Sequence, residues 1–123
     1  MMEAEKLSYF ISEKNSIIVV NLIGTLEQGN AHILESCIQD LSKRNAKFVI
    51  LSFRDVSGTM DHKLAPTMAR LQKGVRDRRA ELRIAAIHPE LRESLNSRGL
   101  IRTEEICNNL ADALKNIKLP VAA

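Results

Sequence analysis

The sequence predicts an α/β domain built on a mixed β-sheet. Two strand patterns come first, and strand and helix patterns then alternate along the rest of the 123 residues. Residues 16–23 are β-branched and almost entirely apolar, which is typical of a central strand covered on both faces. A helix between two strands of one sheet forms a right-handed crossover, so the strands that flank each helix are expected to be parallel. We predict one domain over residues 1–123, with about four to five strands and about four helices.

The other strands and the helices follow from local patterns of apolar residues. Further strands are predicted at residues 8–12, 48–51 and 82–87. Helices with apolar residues at helical spacing are predicted at residues 30–43, from about residue 65, from residue 89 and from about residue 103. A loop is predicted from Arg54 to about Lys63. The core of the domain is expected at about residues 7–117, and residues 118–123 are expected to be a flexible tail.

Proline, glycine and asparagine indicate where the helices begin and end. Pro66 cannot donate a hydrogen bond inside a helix and biases Ala65 away from helical geometry, so the second helix is expected to begin near Ala65. Pro89 suits the first turn of the next helix, and Gly99 suits the position just after its end. Asn30 is expected to be the N-cap of the first helix.

The residue types that carry catalysis or bind metals are scattered. Cys37 and Cys107 lack the spacing of metal ligands and lie in predicted helices, so both are expected to be small buried hydrophobic residues. His32, His62 and His88 are far apart in the sequence, so no metal site is predicted. There is no glycine-rich phosphate loop and no supported Ser-His-Asp arrangement. We predict a protein that is not an enzyme and has no cofactor.

Composition and charge restrict the class of protein. The sequence is 45% hydrophobic and 27% charged, as in ordinary globular proteins, and a net charge of +3 does not by itself indicate a nucleic-acid partner. Tyr9 and three phenylalanines are the only aromatic residues that bases could stack on, so nucleic acid is disfavoured. No apolar run approaches the ~20 residues of a membrane helix, and the first residues are too polar for a signal peptide. We expect a cytoplasmic protein without membrane insertion.

Residues 51–64, with the sequence LSFRDVSGTMDHKL, follow a predicted buried strand and open the second helix. This stretch resembles the switch loop of STAS domains (sulfate transporter and anti-sigma factor antagonist). In that family a strand leads through an Asp-(Leu/Val)-Ser turn into Asp-Ser-Ser-Gly-Leu, and the first serine of the pair is phosphorylated. In an alignment without gaps, residues 55–57 match the turn and Asp61 takes the position of the phosphorylated serine. His62 and Lys63 then take the positions of the second serine and the glycine.

The resemblance extends over nearly the whole chain. Residues 22–27 resemble the family's turn before its first helix, and residues 82–100 resemble its last strand, helix and Gly-Leu stop. The resemblance implies a small sheet with the helices packed mainly on one side. It also implies that the protein functions in partner switching, as anti-sigma factor antagonists do, by docking to a protein partner such as an anti-sigma factor or a serine-kinase-like regulator.

Asp61 allows more than one interpretation of the altered switch. It supplies one fixed negative charge where phosphorylation adds about −1.5 to −2, so the chain is either locked in a phosphorylated-like state or recognises a different partner. Alternatively, Asp61 is a simple N-cap or loop carboxylate. A one-residue shift of the alignment would instead place His62 at the serine position. Ser57 and Thr59 are either displaced phosphorylation sites or residues that bond the local backbone in a turn.

The predicted interaction surface combines this loop with the helix that follows it. Its residues are Ser57, Gly58, Thr59, Met60, Asp61, His62, Lys63, Arg70 and Lys73. The last two belong to a basic cluster at residues 63–83, which is either a docking stripe for an acidic partner or a solvated helix end. Two other roles stay open. One is an accessory subunit of a lipid or anion transporter, and the other is a scaffold of a signalling assembly, for which a homo-oligomer is expected.

Overall fold

The computed structural model describes residues 7–60 and 63–115, and within these the chain forms one five-stranded sheet and four helices. The strands are β1 (Leu7–Lys14), β2 (Ile17–Leu26), β3 (Phe48–Gly58), β4 (Glu81–Ala85) and β5 (Ile106–Cys107). The helices are α1 (Ala31–Ser42), α2 (Ala65–Asp77), α3 (Pro89–Ser97) and α4 (Leu110–Leu114). Short 3-10 helices lie at Gln28–Asn30 and Thr103–Glu105. The predicted α/β class is confirmed.

The sheet follows the order of the chain, β1-β2-β3-β4-β5. β1 and β2 form an antiparallel hairpin, whereas β2, β3, β4 and β5 are parallel to one another. The hairpin turns at Asn15 and Ser16, whose φ angles of 52° and 67° suit the tight turns that join antiparallel strands. The sheet is therefore mixed, as predicted, and β1 and β5 are its edges.

Three of the helices cover the same face of the sheet. α1, α2 and α3 each contribute buried apolar residues at helical spacing to one core, which they share with β2, β3 and β4. These helix residues are Leu34, Cys37, Leu41, Met68, Leu71, Val75, Leu91 and Leu95. α4 packs elsewhere, since Ala113 joins a separate small cluster with Ile50 and Ala85. The helices are thus packed mainly on one side, as predicted.

β3 is longer than the sequence pattern predicts, because residues 54–58 continue the strand and do not belong to the loop. The pairing of β2 with β3 shifts between Asn21 and Ile23, where β3 has one residue more than β2. This bulge lets Phe53 and Val56 both reach the core, although strict alternation would put them on opposite faces. Because the bulge interrupts the alternation of apolar residues, the sequence pattern ends before the strand does.

The prediction of a helix from residue 103 is wrong in its first part. Residues 103–105 form a 3-10 helix, Ile106 and Cys107 pair with β4 as strand β5, and α4 begins only at Leu110. Pairing with β4 satisfies backbone groups that a helix would have satisfied internally. A contact between distant parts of the chain therefore overrides the local helical pattern here.

Side chains in the last part of the fold also differ from their predicted environments. Cys107 is half-buried on a strand and not on a helix, whereas Cys37 is fully buried in α1 as predicted. Leu114 of α4 is 42% exposed. The predicted tail at residues 118–123 lies outside the described residues.

The helix ends agree with most of the predictions. α2 begins where expected, with Pro66 in its first turn. Pro89 begins α3, and Gly99 follows its end with a φ of +67°. Asn30 does precede α1, but its side chain does not cap the helix. Its Nδ2 donates instead to the carbonyl oxygen of Thr25 at 2.7 Å, which ties the start of α1 to the end of β2.

Candidate functional site

The interaction loop is the predicted contact segment, residues 57–63, which comprises the last two residues of β3 and the residues that follow the strand. Gly58 closes the strand with a φ of +98°, and a Cβ at this position would lie 2.5 Å from the carbonyl oxygen of Leu26. Both the backbone angle and the close approach of β2 require a glycine. Ser57 pairs with Thr25 of β2 in the sheet, and Thr59 is the first residue beyond β3.

Two exposed hydroxyl groups mark the start of the interaction loop. Ser57 and Thr59 are both exposed. Ser57 Oγ lies 3.1 Å from Thr25 Oγ1 on the neighbouring strand and 3.5 Å from the carbonyl oxygen of Gly24. The Ser57 hydroxyl is thus bonded locally and still accessible from solvent, which leaves both of its predicted roles open.

The remaining residues of the loop differ in where they lie. Lys63 is exposed. The Met60 side chain is only 1% exposed and packs in the main core, so it anchors the loop and is not itself available to a partner. Asp61 and His62 lie outside the described residues.

The backbone of Met60 is bound by side chains from α3. Its N–H donates to Ser94 Oγ at 2.9 Å, and its carbonyl oxygen accepts from Arg98 Nε at 2.8 Å. Ser94 Oγ in turn donates to the carbonyl oxygen of Leu91 on its own helix at 2.9 Å. The loop is therefore fixed to α3 through both polar groups of one buried residue.

Sequence analysis does not identify Ser94 and Arg98 as part of this site. They lie 34 and 38 residues beyond Met60 in the chain. Ser94 is a half-buried polar residue of α3, and Arg98 directly follows the helix. Polar residues are common at such positions of any helix. No spacing in the sequence distinguishes them, so only the packing of α3 beside the end of β3 shows their role.

The two predicted contact residues on α2 are exposed, and both form ion pairs. Arg70 binds Glu35 of α1, with 3.2 Å between its Nη1 and Glu35 Oε2. Lys73 Nζ lies 2.6 Å from Asp77 Oδ2, one turn further along α2. The hydrogen bond and the negative charge of Asp77 raise the pKa of Lys73. Surface pairs of this kind are weak, so both cations can exchange partners at little cost.

The basic residues at the C-terminal end of α2 are bound within the domain. Arg76 forms two contacts to Glu105, at 2.5 Å and 3.1 Å, and Glu105 is buried. Arg78 Nη1 donates to the carbonyl oxygen of Leu41 at the end of α1. These two guanidinium groups connect elements of the fold, so this part of the basic cluster is structural.

Arg83 on β4 is structural as well. Its Nη1 donates to the carbonyl oxygen of Ala113 at 2.7 Å, which ties α4 to the sheet. Its Nη2 lies 2.8 Å from Glu81 Oε2, and its guanidinium carbon is 5.7 Å from the centre of the Phe48 ring. Arg76, Arg78 and Arg83 are thus structural. The basic residues left for a docking stripe along residues 63–83 are Lys63, Arg70, Lys73 and Arg79.

Neither a metal centre nor a membrane helix is found in the described parts of the chain. Residues 7–60 and 63–115 contain no group of three or more His, Cys, Asp or Glu side chains that could hold a metal ion. His88 instead caps α3, where its Nδ1 accepts from the N–H of Leu91 at 3.4 Å. No helix within these ranges has the length and apolar character needed to cross a bilayer.

Comparison with known proteins identifies the family. The family model of the STAS domain matches residues 10–113. The chain belongs to the STAS domain family. This match covers all five strands except the start of β1, and it includes the interaction loop and α3. No curated protein matches the sequence.

Solved structures share the STAS fold at low sequence identity. An anti-sigma factor antagonist from Mycobacterium paratuberculosis has 17% identity and a TM-score of 0.74, over 89% of this chain and 92% of that one. SpoIIAA of Bacillus, an anti-sigma factor antagonist in its unphosphorylated form, has 15% identity and a TM-score of 0.64, over 81% and 86%. The murine Solute Carrier 26 family member A9 anion transporter has 13% identity and a TM-score of 0.70, over 90% of this chain but 22% of the transporter. These likenesses establish the fold of the STAS domain.

Proposed function

We propose that this STAS domain is a non-catalytic protein-interaction module that acts in partner switching. Its partner would be an anti-sigma factor or a serine-kinase-like regulator in the cytoplasm, bound reversibly through the interaction loop. Family membership and the fold that the chain shares with anti-sigma factor antagonists support this role. The proposed contact surface is Ser57, Gly58, Thr59, Asp61, His62, Lys63, Arg70 and Lys73, with Met60 as its buried anchor.

The observation that carries the proposal is the state of the interaction loop. The backbone of its first part, residues 57–60, is fixed at Gly58 and Met60, while Ser57 and Thr59 present their side chains to solvent. Residues that are ordered before binding lose little conformational entropy when a partner docks on them. Accessible polar side chains on a fixed backbone are therefore well suited to a reversible protein contact.

The charge at position 61 would decide which partner the loop accepts. In the proposed alignment Asp61 replaces the serine that the family phosphorylates, and it carries one permanent negative charge where a phosphate carries about two. Ser57 and Thr59 are the candidates for a displaced phosphorylation site. A phosphate on Ser57 would disturb its contact with Thr25, whereas one on Thr59 would extend from the loop beyond the strand.

Affinity capture from cells of the source organism would test the proposal. The baits are the wild-type chain, Asp61→Ser, and Asp112→Ser as a control that removes a carboxylate from α4. The proposal predicts that the wild-type and control baits retain the same ATP-binding regulator. Asp61→Ser should change the affinity by about tenfold, because a charge at a contact surface is worth about 1–2 kcal/mol. It should also accept phosphate from the captured kinase.

Two outcomes would contradict the proposal. The first is that all three baits bind the regulator equally and that Asp61→Ser takes up no phosphate from a kinase that phosphorylates a known substrate. The second is that the baits retain membrane-transporter subunits and no ATP-binding regulator, which would favour the accessory-subunit role. A stable homo-oligomer in light scattering, with no captured regulator, would favour the scaffold role.

A further inference from the structure

Two side chains at the C-terminal half of α3 bind the backbone of Met60. The Met60 N–H donates to Ser94 Oγ at 2.9 Å, and Arg98 Nε donates to the Met60 carbonyl oxygen at 2.8 Å. Most loop backbone groups bind water, which leaves the loop free to change conformation. Here both polar groups of one loop residue bind side chains of a helix that is distant in sequence.

The two side chains are themselves held in position by α3. Ser94 Oγ donates its proton to the carbonyl oxygen of Leu91 at 2.9 Å, so a lone pair is left to accept from Met60. The bond from Arg98 is charge-assisted and therefore stronger than a bond between neutral groups. Leu91 and Leu95 anchor the same helix in the core, and both are 0% exposed. The loop is thus coupled to a rigid element of the domain.

We propose that Ser94 and Arg98 are positioning residues of the interaction surface. They hold the backbone at Met60 in one conformation and thereby set the affinity of the exposed residues just before it, Ser57 and Thr59, for a partner. This inference rests on the proposed function only for the identity of that partner. When either side chain is removed, the backbone at Thr59 and Met60 populates several conformations. A partner that binds only one of these conformations then binds more weakly, in proportion to the decrease in the population of that conformation.

Amide hydrogen exchange of the isolated full chain tests the positioning role without any partner. Loss of one such hydrogen bond should accelerate exchange at Thr59 and Met60 by about tenfold in Ser94→Ala and in Arg98→Gln. Ser94→Thr keeps the hydroxyl and should exchange like the wild type. Ser97→Ala is the matched control, because Ser97 lies on the same helix and its Oγ bonds the carbonyl oxygen of Ser94 and not the loop. Exchange in β2, β3 and β4 should be the same in all variants.

Each other pattern of exchange would overturn the positioning role. Loop exchange in Ser94→Ala and Arg98→Gln equal to that in Ser97→Ala would show that the contacts do not fix the loop. Equal acceleration in the loop, α3 and β4 would show that the variants only weaken the whole fold. Rapid exchange in Ser94→Thr would show that the hydroxyl is not the group responsible.

Binding then tests whether the fixed conformation sets affinity. The probe is the purified regulator retained by the wild-type bait. Ser94→Ala and Arg98→Gln should bind it more weakly by about the factor that exchange measures, since both report the same conformational equilibrium. Accelerated exchange with unchanged affinity would overturn the effect on binding. Failure of the wild type to retain a regulator would count against the proposed function alone, because the exchange result does not depend on it.

Discussion

The two ends of α2 differ in what they do with polar side chains. At the C-terminal end, Arg76 and Arg78 are bound to Glu105 and to the carbonyl oxygen of Leu41, so their charges hold the fold together. At the N-terminal end, the interaction loop has few basic residues, but its backbone is fixed at Met60 and the hydroxyl groups of Ser57 and Thr59 are exposed. The more highly charged end is thus the structural one. Charge density along the sequence is a poor guide to the interaction surface when the charges pair within the domain.

Gly58→Ala is expected to have the largest effect, at the loop end of α2. The φ of +98° and the carbonyl oxygen 2.5 Å from a new Cβ should together cost about 3 kcal/mol of unfolding free energy. Urea denaturation of the two proteins measures the change. Gly29→Ala is the control, because its Cβ would meet nothing within 4 Å, and its stability should stay close to that of the wild type. Equal urea midpoints for the two variants would show that β2 does not constrain Gly58.

Arg76→Leu tests whether the C-terminal end of α2 is structural. It leaves the Glu105 carboxylate, which is 7% exposed, without its partner and should cost about 2 kcal/mol. The double variant Arg76→Leu, Glu105→Leu should recover most of that loss, since two apolar side chains need no ion pair. Capture of the regulator by Arg76→Leu should be unchanged while the chain stays folded. If Arg76→Leu keeps its stability but loses the regulator, the assignment of the two ends would be reversed.

Unfolding at alkaline pH tests the burial of the Cys37 thiol in the core beneath α2. Burial, together with the negative charge of Asp40, raises the pKa of the Cys37 thiol from 9.0 to about 12. The folded state therefore binds this proton more tightly than the unfolded state does. The stabilisation is complete below about pH 9 and should fall by about 1 kcal/mol per pH unit as the pH rises towards 12.

Urea denaturation at a series of pH values measures this slope. Cys37→Ala should flatten it, whatever the variant does to stability at neutral pH. Burial and a hydrogen bond to Asp40 also raise the pKa of Tyr9, so part of the slope should persist in Cys37→Ala and disappear with Tyr9→Phe. An equal slope in the wild type and in Cys37→Ala would rule out a buried thiol as its source.

Gly74→Ala should have the smallest effect, and it should stabilise the structural end. Gly74 lies within α2, and a Cβ there would meet nothing within 4 Å. Alanine in a helix interior is better than glycine by about 0.5–1 kcal/mol. Gly99→Ala is a matched comparison, since it also has open space but has a φ of +67°, and it should lower stability. Thermal denaturation distinguishes them, and equal shifts for the two would show that backbone conformation is not the cause.

Part of the interaction site could be predicted from sequence and part could not. The start of α2 could be predicted, because the effect of Pro66 on its neighbours is local. The extent of β3 could not be predicted, because the bulge between Asn21 and Ile23 depends on pairing with β2. The residues that bind Met60 could not be predicted either, since Ser94 and Arg98 contact Met60 only after α3 packs beside β3.

The sequence by itself determined the α/β class, the order of the elements from β1 to α3 and the core faces of α1, α2 and α3. Apolar periodicity and the backbone limits of proline and glycine act over a few residues, and they can be read without the rest of the chain. Tertiary structure alone decided that residues 106 and 107 pair as β5, that Arg76 at the basic end of α2 pairs with Glu105, and that Ser94 of α3 binds Met60. Each of these depends on groups that are distant in sequence and become neighbours only when the sheet forms, and at such contacts pairing outweighs local preference.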